Sequence, residues 1–444
     1  MSDQRGAGTL RIQGGTVVDP RARTVVRADV LIEDGRVAAI GKDLASEGGV
    51  DTLDATGLWV LPGAVDMHVH LREPGFEYKE TIETGTRAAV AGGVTSVACM
   101  ANTRPVNDTP AVTRYILERA RVANAARVFP IGAVSVGLEG KILAEFAGMH
   151  EAGIVAVSDD GHAVADAELM RRALECAKLF DIPVVDHAED PSLASGGVMH
   201  EGAMSLRLGL RGVPAEAEEV MVARDIALAQ LTGGRLHIAH VSAAGSVRRI
   251  RAARAAGVQV TAEVTPHHLW LTDSAVGPYD TNAKMAPPLR TAADRDALRE
   301  GLRDGTIDAI ATDHAPHHRD EKDVEFDCAQ NGVVGLETLV PLTLALVREG
   351  VLDLPTAISK ITSEPAAILR LPVGRLEAGA GADIALVDPE LEWTVEPMTL
   401  KTKSKNTPFG SWPMRGRAVV TMVGGEIVHD GRAALSAVGE RRSA

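Results

Sequence analysis

From Leu58 to about Leu369 the chain repeats one unit, an apolar strand, a polar loop and an amphipathic helix, and this repetition limits the fold more than any single motif. Candidate strands end near His70, Asn102, Ser135, Asp160, His187, His240, His267 and Asp313, which makes eight. Helical periodicity fills the gaps, as in Glu80 to Ala91, Asp166 to Leu179, Ala215 to Leu231 and Ala292 to Arg303. Eight such units predict an α/β fold, a closed parallel (β/α)8 barrel of TIM type over residues 61–369. Outside that span the texture changes. Leu10 to Ile40 alternates in short stretches broken by Gly and Asp, and the same pattern returns after Gly379 in GADIALVDP and AVVTMVGGEIVHDG. The two ends are expected to meet in a small discontinuous β-sandwich domain, residues 1–60 with 370–444, whose tail from about Ala433 frays.

Composition narrows the function classes. The 444 residues are 45% hydrophobic but only 3% aromatic, so a large core must be built mainly from Ala, Val, Leu and Ile. A formal charge of -14 repels nucleic acid and anionic membrane, which excludes both as main partners. A small anionic substrate is still compatible, because a pocket can be locally positive. Cys99, Cys176 and Cys328 are too few and too far apart for a disulfide framework or a paired-cysteine zinc site, which points to a reducing compartment. The first residues, MSDQRGAGTL, carry no apolar leader, and no uninterrupted apolar run is long enough to span a bilayer. A soluble, cytoplasmic protein is the expectation.

Barrel enzymes build their sites at the C-terminal rim of the strands, and here that rim carries metal-ligand chemistry. His68 and His70 sit two apart at the end of the first strand, so both face one way, with Asp66 expected behind them on that face as an orienting carboxylate. An isolated pair of this kind also occurs on solvated edge strands, but further clusters follow at the other strand ends. Asp159 and Asp160 close the fourth strand, and only one of them can look inward. His187 ends the fifth. His240, nearer the rim than His237, is the candidate on the sixth, and Asp313 ends the eighth, followed by His314, His317 and His318. Four histidines and two aspartates exceed what one catalytic zinc with an open position needs. A two-metal site accounts for the surplus.

The motifs DMHVHLREPG, MANTRP, SDDG, DHAED, HIAHVS, TPHHL, ATDHAPH and GVVGLET, in that order, resemble the dihydroorotases of the larger bacterial type (class I), within the cyclic amidohydrolase superfamily. The resemblance implies that His68, His70, Asp160 and Asp313 hold one metal, that His187 and His240 complete a second, and that Asp160 bridges them where many relatives use a carbamylated lysine. It implies Zn2+, two ions per subunit with one as the alternative. The implied reaction is the reversible cyclisation of N-carbamoyl-L-aspartate to L-dihydroorotate in de novo pyrimidine (UMP) synthesis. Arg72, Asn102 and His317 match positions that hold the substrate's carboxylate and ring, and Asp313 serves as general base and then general acid.

Residues 317–332 read as a mobile rim loop, with backbone near Asn331 and Gly332 touching the ring. One departure stands out, Ala286 in KMAPPLR, where many relatives carry Asn. His267 and His268 receive no role, and His150, His162, His200 and His429 are taken as structural or surface. Two other readings stay open, a hydantoinase or allantoinase, and a non-catalytic dihydroorotase-like partner of aspartate carbamoyltransferase. A homodimer and an association with that transferase are likewise left open.

Overall fold

The computed structural model of the protein describes residues 8–42, 44 and 50–432; the expectation of a fraying tail from Ala433 falls outside them. Six parallel strands, Ala64–Val69, Val94–Cys99, Arg127–Pro130, Val184–Asp186, Leu236–Ile238 and Val260–Val264, run in order around a barrel, and Ala309–Ile310 pairs beside the last of them. The fourth position is a single residue, Val157, bridged to Gly132 on one side and to Val184 on the other. Val69 bridges His314, and the ring of eight is closed. The predicted helices appear at Ile82–Ala91, Ala167–Leu179, Glu216–Thr232 and Ala292–Arg303. Three of their starts are fixed by local chemistry: Thr81, Asp166 and Thr291 each accept a hydrogen bond from a backbone N–H of the first turn.

The scarcity of aromatics has a visible counterpart. Met67, Ala98, Met100, Ile131, Ala156, Val185, Ala239, Ala309 and Ala311 form one buried cluster, so the barrel is filled by small and flexible side chains. Val, Leu and Ile dominate the larger cluster between strands and helices. No helix among the described residues is long and apolar enough to cross a membrane.

Both chain ends contribute to one eight-stranded sheet. Ile384–Thr394 pairs with Trp59–Pro62, which lies beside Thr9–Asp19, and hairpins extend the sheet to Arg36–Gly41 at one end and Glu426–Asp430 at the other. Val37 and Met422, from opposite ends of that order, share one apolar cluster, so the sheet closes over its own core. The turns meet so tightly that a Cβ on Gly35 would stand 2.6 Å from the Gly424 carbonyl oxygen, and Gly35 has φ +74°. Residues 395–412 depart from the sheet. Val395 and Phe409 pack with Leu271, Met285, Leu289 and Val333 of the barrel side, which lays this stretch along the rim.

Candidate metal centre

The first strand slips register between Asp66 and Val69, a bulge that places one extra residue before the rim. This corrects the reading of Asp66. The bulge breaks the period-two rule, and Asp66 accepts from the Thr312 N–H at 3.1 Å and the Thr312 hydroxyl at 2.6 Å, fastening the first strand to the eighth. The imidazoles are oriented by other groups: His68 Nδ1 lies 2.6 Å from Glu263 Oε1, and His70 Nδ1 lies 2.8 Å from Asn102 Oδ1. Both acceptors keep a proton on Nδ1, which leaves each Nε2 lone pair facing the barrel mouth.

Of the aspartate pair, Asp160 is the inward one. Asp159 turns away to accept from the Ser135 N–H at 2.9 Å and from its hydroxyl. Asp160 Oδ2 lies 3.4 Å from His70 Nε2, and Oδ1 lies 3.4 Å from His68 Nε2, 3.3 Å from His240 Nε2 and 3.7 Å from His187 Nδ1. Asp313 Oδ1 is 3.0 Å from His70 Nε2 and 3.5 Å from His68 Nε2. The buried donors form two groups that share Asp160, one with His68 and His70 and one with His187 and His240. Tetrahedral zinc with bonds of 2.0–2.1 Å would hold its ligands about 3.3–3.4 Å apart, close to most of these separations. His68 Nε2 is fully buried without a hydrogen-bond partner, the mark of an atom shaped for an ion. The donor set fits a metal.

Charge in this pocket is arranged for a cation. Burial alone disfavours the charged imidazole of His68, yet Asp160, Glu263 and Asp313 hold it well above its usual range. Burial would raise Asp160, but the nearby charge of His68 and the hydrogen bonds of His187 and His240 keep it well below the carboxylate norm. The backbone is also strained around the mouth: Arg72, His240 and Asp313 have φ of +62°, +32° and +47°. Such conformations are costly for residues with side chains and cluster where function demands them.

Above the donors opens a cleft of about 380 Å³ lined by Arg72, Lys79, Asn102, His162, Ala286, His317, Asn331 and Gly332 among others. Arg72 Nε donates to the Pro316 carbonyl at 3.2 Å, and its Nη2 is 3.2 Å from His317 Nε2. Burial, then Arg72, Lys79 and Lys322, push His317 down to about 2, so the ring is neutral at working pH. Asn102 is partly committed: it accepts from His70 and donates to the Asp160 carbonyl at 3.3 Å, leaving one amide hydrogen for a ligand.

Ala286 lines the cleft with only a methyl group at that position. The rim loop is tied down in this structure. Lys322 Nζ donates to the carbonyls of Lys284, Gln330 and Gly332, and Lys284 Nζ donates to those of Asp327 and Ala329. Sequence reasoning missed Glu263, Lys79 and Asn406. Glu263 alone carried a signal, a carboxylate in the apolar run VTAEV.

Comparison with known proteins supplies the family. Residues 57–246 match the family described as dihydro-orotase-like, and residues 214–429 match the amidohydrolase family. The chain is 56% identical over 420 residues to the dihydroorotase of Syntrophotalea carbinolica and 57% identical over 420 residues to that of Geobacter sulfurreducens, covering 95% of this chain and 99% of each relative. Among solved structures it is similar to the L-hydantoinase (dihydropyrimidinase) of Arthrobacter aurescens, with a TM-score of 0.85 and 26% identity over 95% of this chain and 96% of that one. The dihydropyrimidinase of Brevibacillus agri gives 0.83 and 26%, over 96% and 95%.

Proposed function

The chain belongs to the dihydroorotase family of amidohydrolases, and from that premise we infer that it interconverts N-carbamoyl-L-aspartate and L-dihydroorotate. The observation that carries this reading is the union of two things at one cleft: five buried His and Asp donors around Asp160, and the Arg72–His317 pair beside them. His68, His70, Asp160, His187, His240 and Asp313 would hold two Zn2+ ions per subunit. Bound there, the ions supply a hydroxide nucleophile at neutral pH and polarise the scissile carbonyl.

The protein's own groups do the rest. Arg72 presents a planar donor fork to the substrate carboxylate, with His317 and the free amide hydrogen of Asn102 beside it. Of the two rim-loop residues, Asn331 offers backbone groups to the ring, whereas the Gly332 N–H and carbonyl are already engaged by Lys284, Lys322 and Asn406, so Gly332 contributes its open surface rather than a hydrogen bond. In the hydrolytic direction Asp313 takes the proton of the attacking nucleophile as its oxygen bonds to the carbonyl carbon. It delivers that proton to the ring nitrogen as the C–N bond breaks. In the cyclising direction protonated Asp313 assists the departure of water. Docking to aspartate carbamoyltransferase and a homodimer are compatible with this reading, and a cytoplasmic setting suits its substrates.

A comparison of substrates tests the assignment, because the similar solved structures are hydantoinases. The zinc-loaded protein is expected to open dihydroorotate far faster than hydantoin or allantoin. The reverse ranking would move it to the hydantoinases.

A further inference from the structure

His317 stands between two cations. On one side Arg72 Nη2 is 3.2 Å from Nε2, and on the other Lys79 Nζ is 3.3 Å from Nδ1. A neutral imidazole has one lone pair in the ring plane, so only one of these donors can be accepted at a time. Lys79 itself is held in place. Its ammonium pairs with Glu321 Oε1 at 2.9 Å, and Glu321 is engaged by the Tyr78 hydroxyl at 3.1 Å and the His318 N–H at 3.0 Å. The main chain beneath the ring is held as well, the His317 backbone N–H donating to Asn406 Oδ1 at 3.0 Å. The competing arrangement would send Nδ1–H to Glu321 Oε2 at 3.4 Å, an oxygen that already accepts from His318. It would also turn the Nε2 lone pair toward an incoming carboxylate, which repels.

We propose that Lys79 is a positioning residue for substrate capture: its ammonium, braced by Glu321, caps His317 Nδ1 and keeps the ring proton on Nε2, where it joins Arg72 in donating to the substrate carboxylate. The inference rests on the dihydroorotase reading for the identity of that carboxylate, but not for the tautomer. With its proton on Nε2 the ring offers Arg72 no acceptor, so the guanidinium fork is left for the ligand. The Nε2–H then completes a three-pronged grip, while the proton shuttle at Asp313 is untouched.

Nitrogen NMR of the zinc-loaded protein labelled at its histidine rings, with His317 assigned from the His317→Gln spectrum, reads the tautomer directly. Wild type is expected to carry the proton on Nε2, and Lys79→Met to shift it toward Nδ1. In the same variant KM for dihydroorotate should rise about tenfold or more, with kcat within about threefold and zinc content unchanged; loss of one charge-assisted contact has this size. Glu321→Gln, outside the cleft, should give the same direction with a smaller shift, and it keeps the test alive if Lys79→Met folds poorly. A wild-type proton on Nδ1, or a tautomer and KM indifferent to both substitutions, overturns the proposal. If dihydroorotate is not turned over at all, the functional reading fails while the nitrogen spectrum still decides the tautomer.

Discussion

Asp313 is asked to ligate and to carry a proton, and the two duties can be separated. Its φ of +47° suits Asp and Asn but strains Ala, by about 1 kcal/mol. Asp313→Asn keeps the backbone and a ligating oxygen but no carboxylate, so turnover should fall about 10²–10⁴-fold with a nearly unchanged melting temperature. Asp313→Ala should be as inactive and measurably less stable. Near-normal rates in either would remove the shuttle. At this scale the sequence was informative wherever chemistry forces a residue type at a strand end, as it does for His68, His70, His187 and Asp160. It misled at Asp66, because a one-residue bulge is set by neighbouring strands and leaves no local signature. Lys79 and Asn406 were illegible for a related reason: their partner His317 lies far away in the chain.

The rim loop behaves as an element with its own anchors. The charged run from Arg319 to Cys328 reads as mobile, yet the structure gives it a short helix, Arg319–Lys322, and fastens it through Lys322, a residue 5% exposed. Asn406 donates to the carbonyls of Ala315 and Gly332, each at 3.0 Å, and so joins the His317 side of the cleft to the Gly332 side. Lys322→Met would remove three hydrogen bonds, strand the Gln330 carbonyl and loosen the loop, while the Lys284 and Gly332 carbonyls keep the Gly332 N–H and Asn406 as donors. Faster proteolytic cutting within residues 319–328 and a KM raised about tenfold are expected, since each lost buried bond costs about 1–3 kcal/mol. Unchanged cutting would show that the loop is held by packing, with Phe326 against Met199 and Val276 as the natural alternative.

At the scale of the molecule, the C-terminal stretch that leaves the small sheet is fastened to the barrel by Glu337, which accepts from the N–H groups of Lys401 and Thr402. Burial outweighs those bonds and raises its carboxyl from 4.5 to about 7. The folded protein then binds more protons than the unfolded chain between these values. The stabilisation is full below the lower value, declines as pH rises, and is lost above the upper one. Glu337→Gln keeps the acceptor without the charge, so its stability relative to wild type should improve by about 2 kcal/mol between pH 5 and pH 8 in denaturant titrations. No such trend would mean that Glu337 ionises freely in the fold. The repeating unit announced the barrel and the alternation announced the end strands, since both periods are local. That residues 395–412 lie along the rim was hidden, because nothing local directs a loop toward a distant helix.

The convergence of six donors on a shared pair of cations is tested most directly by stripping the protein with a chelator and restoring zinc in measured amounts, following dihydroorotate turnover and bound metal together. The expected result is no turnover without metal, a rise that levels off near two ions per chain, and loss of tight binding at both positions in Asp160→Ala. Full activity in the stripped protein, or a second ion bound normally without Asp160, would contradict it.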